Sequence, residues 1–163
     1  MNIAICYLHA CVLQLFTQID LIDMRHLPHG ENKWILHCID HWSKFNFAYA
    51  LPRKSAVNVA AALNSHLFPY FGVPRILHSD NGREFVNSVI ESLLATWHSE
   101  IQLVSGRPRH PQSQGSVERA HLTLQKKLAS EVSRNNSTNP PWTTWLPRLI
   151  CELHTCVYMY TEY

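Results

Sequence analysis

Apolar and polar positions alternate from about residue 15 to 24, the pattern of a strand with one buried face. Residues 33–40 and 45–51 are two further strand-like runs, rich in β-branched, aromatic and aliphatic side chains. The intervening His41-Trp42-Ser43-Lys44 reads as a hairpin loop. Ser55 is a suitable N-cap, and Val59, Ala60, Leu63 and Leu67 form a helical stripe that should end near Pro69. Gly72 and Pro74 break the chain before a short strand at 75–79.

A second helix is expected over 84–98, with Val86, Val89, Ile90, Leu93 and Trp97 on its inner face, followed by a fifth strand over 100–104. Gly106, Pro108, Pro111 and Gly115 mark a loop, and a long helix should run over 116–133. A polar linker at 135–141 leads to a last helix over 142–157. Three strands followed by alternating helices and strands predict an α/β fold. Its mixed sheet should begin with an antiparallel meander of strands 1–3.

Composition narrows the class. With 163 residues, 46% of them apolar and 16% charged, the chain is one domain able to bury a core. Five Gly and nine Pro argue against a fibrous or disordered chain. The net charge of +2 carries no overall basic signal. Over 105–134, however, Arg107, Arg109, Arg119, Lys126, Lys127 and Arg134 face only Glu118 and Glu131, a balance that suits a polyanionic partner.

The five cysteines, Cys6, Cys11, Cys38, Cys151 and Cys156, do not form a disulfide framework and point to a reducing compartment. Neither His37-Cys38-x-x-His41 nor Cys151-x-x-His154-x-Cys156 has the paired spacing of a structural zinc site, so both read as ordinary packing. The apolar stretch 1–16 lacks a basic flank and is too short for a membrane span. It reads as a packed strand or helix, or an atypical start.

Three carboxylates carry the candidate chemistry. Asp20, Asp80 and Glu118 lie 60 and 38 positions apart, each on a different predicted element. Asp20 and Asp23 must point to opposite faces of the first strand, so only one can serve a given site; Asp23 reads as a strand-end or turn carboxylate. Asp40 reads as a loop cap. Asp80 ends the fourth strand before Asn81-Gly82, a usual ligand position in α/β sites. Glu118 falls in the first turn of the long helix, about 100° from the stripe of Val117, Ala120, Leu124 and Leu128. Gln114, His121 and Gln125 share that edge, while Arg119 and Lys126 face outward. A favourable charge at a helix N-terminus is the structural alternative for Glu118.

The flanks of these acids are Thr17-Gln18-Ile19-Asp20, Leu77-His78-Ser79-Asp80-Asn81-Gly82 and His110-Pro111-Gln112-Ser113-Gln114-Gly115-Ser116-Val117-Glu118-Arg119. They resemble the three signature segments of retroviral and retrotransposon integrase core domains. Gln18-Ile19-Asp20-Leu21-Ile22-Asp23-Met24 and Gly106-Arg107-Pro108-Arg109-His110-Pro111-Gln112 look most like cellular integrase-like proteins derived from such elements. The resemblance runs over residues 16–149. It implies a ribonuclease-H-like fold and a catalytic trio, Asp20, Asp80 and Glu118, binding two Mg²⁺ or Mn²⁺ ions. It also implies metal-dependent polynucleotidyl transfer or cleavage on DNA, in a homo-oligomer.

On this reading the loop 105–115 is a mobile element over the site. Asn81, Arg107, Arg109, Gln112, Ser113, Gln114, Arg119 and Lys126 are candidate DNA contacts, mostly to phosphate. Neither a membrane nor a small-molecule substrate is expected, and a nuclear location follows only from the DNA partner. Residues 1–15 are expected to be an atypical extension, 16–157 the catalytic core, and 158–163 a truncated tail.

The chain departs from the family in places. The 37 residues between Asp80 and Glu118 exceed the usual spacing, with the surplus near 104–109. No His-x3-His…Cys-x2-Cys module precedes the core and no basic domain follows it. Two functional classes follow: a metal-dependent polynucleotidyl transferase or nuclease, and a domesticated, catalytically silent module binding DNA or protein through the same fold. Ribonuclease H action on hybrids fits the fold but not the Pro-Gln-Ser-Gln-Gly motif.

Overall fold

The computed structural model describes residues 16–79, 82, 84–85, 87–97, 101–106, 111–135 and 141–159, the side chains of 111–118 and 155–159 excepted. Strands β1 (Phe16–Asp23), β2 (Trp34–Asp40) and β3 (Asn46–Leu51) form the expected meander. β4 (Ile76–Ser79) then pairs parallel to β1, and β5 (Gln102–Ser105) parallel to β4. The sheet order is β3-β2-β1-β4-β5, a five-stranded mixed sheet.

The alternation along β1 assigns each sheet face its own core. Ile19 and Leu21, with Leu36 and Cys38 of β2, meet the helical layer after β3 and the helix after β4. That first layer is α1 (Ala56–Ala62), a π-turn (Leu63–Leu67), α2 (Phe68–Phe71) and α3 (Ser88–Thr96). Ile22, Met24 and Ile35 point the other way, against α4 (Pro111–Asn135) and α5 (Trp142–Met159). The buried Leu124, Leu128, Trp142, Leu146 and Leu149 complete this second core. Trp142 is fully buried and donates its indole N–H to the Leu27 carbonyl at 2.8 Å, which satisfies the polar end of a large apolar side chain.

Local sequence explains most element ends. The Ser55 hydroxyl caps α1 by accepting from the Asn58 N–H, as expected. The helical path does not stop at Pro69. It widens into the π-turn and continues to Phe71, with Pro69 in the opening turn of α2, where a missing N–H is tolerated. The next helix begins at Ser88 and not at residue 84, because Asn87 accepts from Val89 N and Ile90 N and fixes the start there. Phe85, left outside the helix, is buried, while Val89, expected on the inner face, is exposed; Ile90 and Leu94 supply the contact.

The largest departure is α4. It begins at Pro111, five residues before the expected start, so 111–115 is helix and not loop. Proline suits a first helical position, since its fixed φ is already helical. α5 continues to Met159, two residues into the expected tail. The expectations for 1–15 and 160–163 lie outside the described residues.

Candidate metal and nucleic-acid site

Asp20 sits in mid-β1, opposite His37 on β2. Its Oδ1 accepts the Leu21 N–H at 2.7 Å, and the side chain is 43% exposed. It lies on the β1 face that carries Ile22 and Met24, and therefore faces the layer of α4. The contact is direct: His121 of α4 brings Nε2 to 3.7 Å from Asp20 Oδ2.

Asp23 points to the other face, as its odd spacing from Asp20 requires. It accepts from the Arg25 backbone and guanidinium, with 2.6 Å to Nη2, and that side-chain bond holds its carboxyl down at about 2. Asp40 is a turn acid, as expected. It is buried, and its Oδ2 accepts from both the Ser43 N–H and hydroxyl at 2.7 Å.

Asp80 lies outside the described residues, but its chain neighbour does not. Ser79, the last residue of β4, pairs with Ile19, which precedes Asp20. The end of β4 is tied to β5 from two sides. The buried His78 donates from Nε2 to the Gly106 carbonyl at 2.7 Å, and Gly106 N donates to the Ser79 carbonyl at 3.1 Å. Gly106 has φ of 96°, a backbone state that glycine adopts without strain. These bonds fix the backbone at Gly106 against the end of β4.

Glu118 is the eighth residue of α4, beyond its first turn. A favourable charge at a helix N-terminus acts within the first turn only, so the structural alternative for this acid loses its basis. Nothing is described of its side chain, nor of Gln112, Ser113 and Gln114 on the same helix, while Asn81, Arg107 and Arg109 lie outside the described residues. Arg119 and Lys126 are exposed on α4, as expected. Two other members of the basic group are engaged within the chain: Lys127 pairs with Glu152 of α5 at 2.9 Å, and Arg134 with the buried Glu131 at 3.1 Å. The local charge asymmetry is therefore smaller than the sequence count implies.

Sequence reasoning missed the polar chain behind Asp20. His37 Nδ1 lies 3.0 Å from His121 Nδ1, and His37 Nε2 lies 3.1 Å from Asn46 Oδ1. Burial, reinforced by the neighbouring His121, pushes His37 down to about 3, against the Asn46 bond. Burial also lowers His121, against the pull of Asp20. His37 and Cys38 point to opposite faces, so the His37-Cys38-x-x-His41 run does not converge. His154 is likewise occupied elsewhere, its Nε2 at 3.0 Å from Asn46 N and 2.8 Å from Asn46 O, with its ring stacked on Phe45.

A five-stranded mixed sheet of this order between two helical layers defines a ribonuclease-H-like domain, with an acid in mid-β1 facing the long helix. Residues 16–111 match the family model described as the integrase core domain, and the chain belongs to that family. It is 35% identical over 120 residues to human KRAB-A domain-containing protein 2, covering 74% of this chain and 24% of that protein. It is 38% identical over 104 residues to the Pol polyprotein of equine infectious anemia virus, covering 63% of this chain and 9% of that one. The chain thus spans a quarter or less of the length of these relatives. The crystal structure of the catalytic core domain of BIV integrase superposes with a TM-score of 0.62 at 26% identity, covering 91% of this chain and 84% of that one.

Proposed function

We propose that this domain is a metal-dependent polynucleotidyl transferase or endonuclease acting on DNA, with Asp20, Asp80 and Glu118 as its catalytic acids. The observation that carries the reading is the approach of α4 to Asp20 through His121. Glu118 precedes His121 by three residues on that helix, and positions three apart share a helix face. The pairing of Ile19 with Ser79 supports it further, since each is the chain neighbour of a proposed catalytic acid.

The described donor fits a hard divalent cation. Asp20 offers a carboxylate that is 43% exposed and has a histidine nitrogen 3.7 Å away, and Mg²⁺ or Mn²⁺ prefers carboxylate oxygens. Asp20, Asp80 and Glu118 would hold two such ions. Metal bound there would supply the Lewis acidity that an in-line displacement at phosphorus needs, on the attacking and the leaving oxygen. Arg119 and Lys126, exposed on α4, would contact phosphates in a salt-sensitive, weakly sequence-selective manner. Asn81, Arg107, Arg109, Gln112, Ser113 and Gln114 are proposed to extend that surface. The partner is DNA, the assembly a homo-oligomer, and the place of action the nucleus.

The test is a calorimetric titration of Mn²⁺ into the wild type and Asp80→Asn, with cleavage of short duplex DNA measured on both. Metal uptake and cleavage that vanish in Asp80→Asn support the reading. No metal-dependent difference between two folded samples would sink it, and a silent DNA- or protein-binding module would replace it.

A further inference from the structure

The chain of side chains behind Asp20 determines where its protons sit. Asn46 donates from Nδ2 to the Lys44 carbonyl at 2.7 Å, which leaves its Oδ1 as the acceptor facing His37. His37 must therefore carry its proton on Nε2, and its Nδ1 presents a lone pair. Across 3.0 Å, His121 supplies the complementary N–H from its own Nδ1. In the neutral ring that leaves a lone pair on His121 Nε2, 3.7 Å from Asp20 Oδ2. An imidazole lone pair and a carboxylate oxygen at that separation are two donors that one cation can share.

We propose that His121 is a ligand, through Nε2, of the divalent cation carried by Asp20, and that His37 and Asn46 are positioning residues that hold it in the tautomer able to bind. This rests on the reading that Asp20 belongs to a metal site. Metal–nitrogen and metal–oxygen bonds of about 2.0–2.2 Å together span up to about 4.4 Å, so one ion can bridge the 3.7 Å gap. An outer N–H bond that fixes the ligating imidazole is the usual arrangement in metal sites. Here the partner is a second imidazole, buried between the sheet and α4, and it cannot turn away without breaking its bond to Asn46. A mixed nitrogen and oxygen donor set shifts preference from Mg²⁺ toward Mn²⁺ and the later transition ions.

The test uses the full chain loaded with Mn²⁺ and pulsed electron paramagnetic resonance. A directly bound imidazole should give a nitrogen coupling in the wild type, lost in His121→Phe and changed in sign and size when histidine is ¹⁵N-labelled. His37→Phe should weaken Mn²⁺ binding about 10- to 100-fold, and His37→Gln, whose carbonyl can accept from the His121 Nδ1–H, should restore most of it. Co²⁺ should bind more tightly than Mg²⁺, with the difference shrinking in His121→Phe. Should His121→Phe not fold, the labelled wild type and the two His37 variants decide the matter.

Uptake of Mn²⁺ that depends on Asp80 but gives no nitrogen coupling, or gives one unchanged in His121→Phe, would overturn this proposal alone. An ion pair would then join His121 to Asp20. No uptake by the wild type would overturn the metal-site reading and this proposal with it.

Discussion

His37 of β2 and His121 of α4 meet Nδ1 to Nδ1 at 3.0 Å, joining the sheet to the long helix directly behind Asp20. Two imidazoles at that distance cannot both be protonated there, and His37 is enclosed. Its folded pKa of about 3 lies below its ordinary 6.5. Between these values the unfolded chain binds more protons than the folded one. The contribution to stability is complete above about 6.5 and is lost as pH falls toward 3, at up to about 1.4 kcal/mol per pH unit. Urea midpoints measured from neutral to mildly acid pH should fall steeply in the wild type and less in His37→Gln. Equal slopes would refute the account.

Asp40 holds the β2–β3 turn through two bonds from Ser43 to a single buried oxygen. Asp40→Ala should leave those donors without their acceptor and cost about 1–3 kcal/mol. Thermal unfolding would show it as a lowered midpoint, whereas an unchanged midpoint would mean that the turn stands without the carboxylate.

Leu124 and Leu122 are two positions apart on α4 but differ completely in burial, at 0% and 53% exposed. Leu124→Ala should cost about 2–5 kcal/mol through the cavity it opens. Leu122→Ala should stay within about 0.5 kcal/mol. Comparable losses in denaturant melts would show that the helix sits in a different rotation about its axis.

Asn87 fixes the start of α3 by accepting two backbone N–H groups, at 3.0 and 3.2 Å. Asn87→Ala should destabilise the domain by about 1 kcal/mol, and Asn87→Asp or Asn87→Ser by much less. If Glu84→Ala alone reproduced the Asn87→Ala loss of helicity by circular dichroism, the helix would begin before Ser88.

Much of the architecture was legible because it rests on local pattern and residue type. Strand β1 alternates, β2 and β3 are runs of β-branched, aromatic and aliphatic residues, and Ser55 announces its helix, so all four were read to within a residue or two. The errors have local causes. Pro111 and Gly115 look like loop residues, yet proline is acceptable at the first position of a helix and a single glycine costs only about 1 kcal/mol within one. Glu84 and Phe85 fit a helical pattern, but the Asn87 side chain competes for the same N–H groups and wins. The π-turn at Leu63–Leu67 has no sequence signature.

The sequence by itself offered three candidate acids with their flanking motifs, and it determined the faces of β1, because side-chain alternation along a strand needs no knowledge of neighbours. It also determined the family, through motifs that occupy few positions but tolerate few residues. Only the tertiary structure decided that His37 and Asn46 stand behind Asp20. His37 reaches Asp20's neighbourhood through the antiparallel register of β2 on β1, and His121 through the docking of α4 across the sheet. Those positions are 84 apart in the chain. No periodic pattern links them, because their contact arises from the packing of two elements and not from the path of either one.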